Sequence, residues 1–387
     1  MLIHSQNCSF STKDSSPCST DSTEPHSPDG LSRTGHTAVA VCLGFILVAG
    51  ILNNFLTLLV FARFRSLWTP INLILLNISL SDILVCVLGT PFSFAASVRG
   101  RWLIGASGCK WYAFANSLFG IVSLVSLSVL SYERYVTVLH SSQADISNFR
   151  KAWFCVGGSW LYSLLWTLPP FLGWSSYGPE GPGTTCSIQW HLRSPTSVSY
   201  VLCLFIFCLV LPLVLMVYSY GRILVALRRV GKINLLAAQR REQRILVMVF
   251  SMVSCYMLCW MPYGVVALMA TFGRKGLVTP LTSVIPSILA KFSTVVNPVI
   301  YVFFNCQFYR CFVAFVRCRG DPEEHPTPRT QLSDALRVQN QTSVSSSSPR
   351  LPGDATDPTL SNRHVLFVHY TPCKVRALDS PSTVQTV

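Results

Sequence analysis

Five stretches of the chain, residues 37–62, 111–132, 152–174, 194–221 and 245–270, contain no Asp, Glu, Lys or Arg. At about 1.5 Å of rise per residue, each is long enough to cross the roughly 30 Å hydrocarbon core of a bilayer as a helix. Two more, 67–98 and 276–304, are as apolar and carry one charge each, Asp82 and Lys291. None alternates in polarity as the strands of a membrane barrel do. A backbone in hydrocarbon must satisfy its own hydrogen bonds, which leaves helices. The expected fold is therefore an all-α membrane protein, a seven-transmembrane-helix bundle with a short amphipathic eighth helix. Composition agrees: 50% of the 387 residues are hydrophobic and 12% charged, and the mean hydropathy of +0.45 is too high for an ordinary soluble domain.

The net charge of +14 raises nucleic acid as a partner, and the placement of the charge answers it. With the N-terminus outside, fifteen Lys and Arg between Arg63 and Arg319 fall on cytoplasmic loops and flanks. The outer loops hold six: Arg99, Arg101, Lys110, Arg193, Arg274 and Lys275. This bias orients the chain with its N-terminus outside and its C-terminus in the cytoplasm. The expectation is a multi-pass plasma-membrane protein in contact with lipid, not a nucleic-acid binder. Four segments follow: an extracellular tail (1–36), the transmembrane domain (37–304), an amphipathic juxtamembrane helix (305–320) and a disordered Ser/Thr/Pro-rich cytoplasmic tail (321–387). The first 36 residues lack an apolar region followed by a cleavage site, so the first span is expected to act as signal anchor. Asn7-Cys8-Ser9 is a glycosylation sequon on the outer side, which makes Asn7 the candidate acceptor.

Lys291 stands near the middle of the last span, where an ammonium must be paired, internally solvated or used covalently. A lysine amine held out of water is suited to attack a carbonyl and form a Schiff base. An ion pair with Asp82, also mid-span, explains it equally well from burial alone. The residues around it decide further. From Lys291 the span runs to Asn297-Pro298-Val299-Ile300-Tyr301. This resembles the NPxxY element of rhodopsin-like G-protein-coupled receptors, and a lysine six residues before that Asn is where opsins attach retinal. The resemblance recurs in every span over about residues 37 to 318. Asn54 and Asp82 match a polar network with Asn297, and Glu133-Arg134-Tyr135 matches the E/DRY element. Trp160, Pro212 and Tyr220 follow, and Cys259-Trp260-Met261-Pro262-Tyr263 sits in the sixth span.

As an opsin, the chain would bind 11-cis-retinal covalently on Lys291, with Tyr112, Trp260 and Tyr263 lining the pocket. It would pair Cys109 with Cys186 in a disulfide. Arg134, paired with Glu133 or Glu242, would hold the cytoplasmic ends closed, and Tyr220, Pro298 and Tyr301 would serve activation. A buried protonated Schiff base needs a carboxylate. Tyr112 occupies the position where vertebrate visual pigments carry a Glu counterion, so the family pattern is broken there. The resemblance instead assigns the counterion to Glu180, six residues before Cys186, as in many non-visual and invertebrate opsins, where the photoproduct keeps its retinal and is bistable; Asp82 is the second candidate, though the receptor pattern places it nearer the cytoplasmic network. Lys-Phe-Ser-Thr at 291–294, Tyr112 and Gly231-Lys232-Ile233-Asn234 are similar to the encephalopsin and teleost multiple-tissue opsin group.

The implied partners are a heterotrimeric G protein, inhibitory in type on the evidence of Asn305-Cys306-Gln307, and arrestin and a receptor kinase at the tail. Cys318 would be palmitoylated. A ligand-activated rhodopsin-like receptor and a retinal photoisomerase share parts of this pattern. Neither a nucleophile triad, a phosphate loop nor a metal cluster is visible, so no enzyme is expected.

Overall fold

The computed structural model describes residues 31–140, 149–229, 237–274 and 276–317, with side chains at all of these except 140, 227–229 and 237–242. Asn7, Cys318, the Glu242 side chain and the tail from 321 onward lie outside what is described. So do the basic segment 230–236 and the expected arrestin and kinase sites.

Among the described residues the bundle has seven helical segments in the places expected of spans. The first is α1 (Arg33–Arg63), started by the Ser32 hydroxyl accepting from Gly35 N at 3.1 Å, a typical N-cap. The second is broken into α2 (Pro70–Leu88) and α3 (Thr90–Arg99). Gly89 joins them, and Pro91 cannot donate to the preceding turn. The third is α4 (Gly105–His140) and the fourth α5 (Phe149–Thr167). The uncharged run was expected to continue as membrane helix to 174. It stops at Thr167 because Pro169 and Pro170 turn the chain into a 3-10 segment, Pro169–Phe171.

The fifth span is α6 (Pro195–Phe205) and α7 (Leu211–Arg229), joined by a π-helical turn, Ile206–Val210. The sixth is α8 (Ala237–Phe272), with Pro262 inside it, and the seventh α9 (Pro280–Phe304), with Pro286 and Pro298 inside it. Thr279 and Thr282 cap α9 reciprocally. Among the described residues, six of these helical segments are long and apolar enough to cross a membrane. The Phe149–Thr167 helix falls short of that measure, because with 19 residues it cannot leave Arg150 and Lys151 of its first turn outside a span-length window.

After the seventh span, α10 (Cys306–Val316) is the amphipathic eighth helix. Asn305 caps it, its side chain accepting from Phe308 N at 3.1 Å. Phe308, Cys311 and Ala314, three residues apart, are its buried face. Gln307 Nε2 donates to the Ser66 carbonyl at 2.8 Å, fastening α10 under α1.

Polar side chains sew the bundle together where small residues let helices approach. Asn77 on α2 donates to Ser126 Oγ on α4 at 2.9 Å, and its carbonyl accepts from Trp160 Nε1 on α5 at 2.9 Å. At one end of the bundle, β1 (Tyr177–Glu180) and β2 (Thr185–Ile188) form an antiparallel hairpin with Pro179 opposite Cys186 and Glu180 opposite Thr185. Disulfide Cys109–Cys186 bolts this hairpin to the start of α4. No strand was anticipated in this loop, and it is this hairpin that roofs the bundle.

Candidate functional site

Beneath the hairpin lies a cavity of about 180 Å³, far more than one ordered water needs. Lys291, Glu180, Tyr112, Trp260 and Tyr263, the five residues expected at the retinal site, all line it. They come from α9, β1, α4 and α8, elements far apart in sequence.

Lys291 Nζ donates to Asn116 Oδ1 at 3.2 Å and sits 5.2 Å from the centre of the Tyr112 ring, close enough for cation–π attraction. Asp82, the alternative partner, instead accepts from Asn297 Nδ2 at 2.7 Å and Ser123 Oγ at 3.4 Å. Tyr112 contacts the Ser93 hydroxyl and shares a 3.0 Å hydrogen bond with Thr185, the residue paired with Glu180 across the hairpin.

Glu180 stands half-buried in the roof strand β1. The Tyr263 hydroxyl donates to its carboxylate at 3.1 and 3.2 Å and accepts from Trp190 Nε1 at 3.3 Å. Burial pushes the Glu180 carboxyl above the usual carboxylate range, against the pull of Ser187, Tyr263 and the Lys291 charge. Deeper in the cavity, the Trp260 ring meets Tyr263 edge-on at 6.2 Å and stacks on Tyr256 at 5.6 Å. Its Nε1 donates to Ser293 Oγ at 3.1 Å. Gly120 on α4 leaves the space for that ring, since a Cβ there would come 3.0 Å from Trp260.

Asn116, Trp190, Ser293 and Gly120 escaped sequence reasoning. Asn116 alone left a signal, standing one helical turn after Tyr112 and so on the same face. Trp190 comes from a loop and Ser293 from the neighbour of an apolar face, and neither position carries a pattern.

At the end of the bundle away from the hairpin, Arg134 is buried at 2% exposure. Of the two partners expected for it, Glu133 pairs instead with Lys151 of α5 at 3.1 Å, adjacent residues on a helix pointing in different directions, and the Glu242 side chain lies outside what is described. Asn54 also departs from expectation. It donates to the Thr294 carbonyl at 2.8 Å, gripping the α9 backbone next to the Asp82–Asn297 pair. The Tyr301 hydroxyl reaches the Leu75 carbonyl at 3.4 Å, and the Tyr220 ring packs edge-on against Phe250 at 5.4 Å. Pro298 is buried within α9, and Tyr135 packs on Tyr218 at 5.6 Å.

The profile of the 7 transmembrane receptor (rhodopsin family) matches residues 53–301. The chain is 38% identical to Opsin-3 of Mus musculus over 78% of each chain. It is 35% identical to Pinopsin of Columba livia over 81% of this chain and 91% of the relative. Melanopsin of Felis catus is 33% identical over 74% of this chain and 62% of its own length. Squid rhodopsin superposes with a TM-score of 0.68 at 26% identity, over 79% of this chain and 92% of that one. With its helical bundle, roofed cavity and a half-buried lysine in α9, the chain belongs to the rhodopsin family of seven-transmembrane receptors and, within it, to the opsins, alongside relatives of the non-visual group.

Proposed function

We propose that this protein is a light-sensing receptor that holds retinal on Lys291 and activates a heterotrimeric G protein. One observation carries the reading: the Lys291 amine lies inside a largely apolar, aromatic-lined cavity with Glu180 in the roof above. The fit is chemical as well as spatial. Lys291 Nζ would hold the retinal aldehyde as a Schiff base with loss of one water, and the cavity walls offer aromatic surface to a polyene. Bound 11-cis-retinal supplies absorption of visible light and a change of shape on isomerisation.

The protein's own residues do the rest. Lys291 fixes one end of the chromophore, Glu180 supplies the negative charge that lets the nitrogen keep its proton, and the hairpin excludes bulk water. Trp260 and Tyr263 stand on α8 beside its Pro262 kink, so pressure on those rings acts on the helix whose cytoplasmic end must swing for a G protein to dock. The bistable behaviour expected from a roof carboxylate belongs to the same proposal, as do the inhibitory type of G protein and the use of the Ser/Thr tail by kinase and arrestin.

The test is the absorption spectrum of the purified protein after incubation with 11-cis-retinal. A visible band is expected in the wild type and absent in Lys291→Ala, and Glu180→Gln should move it toward the ultraviolet at neutral pH. A second flash after photoconversion should restore the dark spectrum. A folded wild type without a visible band would leave a receptor for a diffusible ligand.

A further inference from the structure

Asn116 has no part in the functions described so far, yet its amide is held in place directly beside Lys291. Nδ2 donates to the Tyr112 carbonyl at 2.8 Å. That bond settles which end of the amide faces which way, and turns the acceptor Oδ1 to Lys291 Nζ at 3.2 Å. Gly89, at the break between α2 and α3, provides the room: a Cβ there would lie 2.5 Å from Oδ1 and 2.7 Å from Nδ2. A side chain at position 89 would push the amide off the lysine. Glu180, by contrast, lies within electrostatic reach of Lys291 but has both oxygens bonded by Tyr263.

We infer that Asn116 is the direct hydrogen-bond acceptor that holds the proton on the Lys291 nitrogen, while Glu180 balances the charge from the roof. This rests on the reading of Lys291 as the retinal-bearing residue. The physical sense is a division of labour. An amide oxygen stabilises N–H⁺ by contact, without the desolvation cost of a second buried carboxylate. The other titratable groups facing the lysine are Tyr112 on α4, Asp82 and Cys86 on α2, and Tyr256 and Tyr263 on α8. Asp82 is already committed to Asn297 and Ser123. Two consequences follow: the proton affinity of the linkage depends on residue 116, and a carboxylate placed there makes Glu180 dispensable.

The experiment is a pH titration of the visible band in full-length pigment loaded with 11-cis-retinal. It compares the wild type with Lys291→Ala, Asn116→Ala, Asn116→Asp, Glu180→Gln and the double variant Asn116→Asp/Glu180→Gln. The band recovered in acid counts loaded protein, so a folding loss is not mistaken for a shift. Asn116→Ala is expected to lower the midpoint of band loss by about one pH unit or more, which is about tenfold weaker proton binding. The double variant is expected to keep the visible band at neutral pH that Glu180→Gln alone loses. An Asn116→Ala midpoint within about 0.3 unit of the wild type, or a double variant as ultraviolet-shifted as Glu180→Gln, overturns the inference. If the wild type forms no visible band, or Lys291→Ala keeps one, the retinal reading falls and takes the inference with it. Normal behaviour of those two controls with inert Asn116 variants removes the inference alone.

Discussion

Paired polar side chains set the energetics at the residue scale. Asp82 is 2% exposed and accepts the Asn297 amide at 2.7 Å. Removing that donor leaves a buried carboxylate poorly satisfied, so Asn297→Ala is expected to cost about 1.5–3 kcal/mol, the scale of a hydrogen bond to a charged group. Thermal unfolding in detergent reads this, and in an Asp82→Asn background the cost should shrink. Glu180 gives a pH signature. Burial holds its carboxyl above the free value, so the folded chain binds that proton more tightly than the unfolded one. Stability then falls as pH rises from the usual carboxylate range through the folded value. Glutamine has no such slope. In retinal-free protein, the melting-temperature advantage of Glu180→Gln over the wild type should therefore grow between about pH 4 and neutrality. An advantage equal at both ends would mean the carboxyl's charge is not its source. At the surface, the Lys151–Glu133 pair has side-chain exposures of 39% and 19%, and Lys151→Ala should cost under about 1 kcal/mol.

At the scale of elements, the roof and the fifth span decide the shape of the cavity. The Cys109–Cys186 bond closes 77 residues of chain. Chain-entropy arguments put its worth at about 4 kcal/mol, so Cys186→Ser should lower the melting temperature and slow retinal uptake together by freeing the hairpin. In the fifth span, the π-turn withdraws a carbonyl from the helical ladder. Tyr162 of α5 supplies the missing donor to Phe207 O at 2.8 Å, and Trp166 stacks on the Phe207 ring at 5.0 Å. Tyr162→Phe should therefore speed amide hydrogen exchange selectively around 206–212, which mass spectrometry of fragments resolves. An unchanged exchange pattern would show that the turn needs no outside donor. Neither element could be foreseen. A short hairpin inside a polar loop and a one-residue insertion in an apolar helix leave the periodicity untouched.

Over the whole molecule, the charge bias predicts an outward N-terminus. Tags at the two ends, probed by antibody in intact and in permeabilised cells, should be reachable respectively without and only with permeabilisation. The reverse would overturn the assignment of Glu180 to an outer roof as well. The same orientation places α10 and Arg134 on the side where a G protein docks.

What the sequence determined by itself was the number of spans, their approximate places along the chain, and the identity of the lysine. Solvent fixes all three locally, because a run of uncharged residues has only one low-energy state in hydrocarbon and a lone mid-span charge stands out against it. Cys109 with Cys186 and the five cavity residues were legible through motif resemblance, each carrying a local signature. Tertiary structure alone decided which polar atoms meet. Lys291 reaches Asn116 rather than Asp82, Glu133 takes Lys151 rather than Arg134, and Glu180 is bonded by Tyr263. Hydrogen bonds act over about 3 Å, and partners 83 or 175 residues apart in sequence come within that range only after helix tilt, the Gly89 break and the π-turn have set each face.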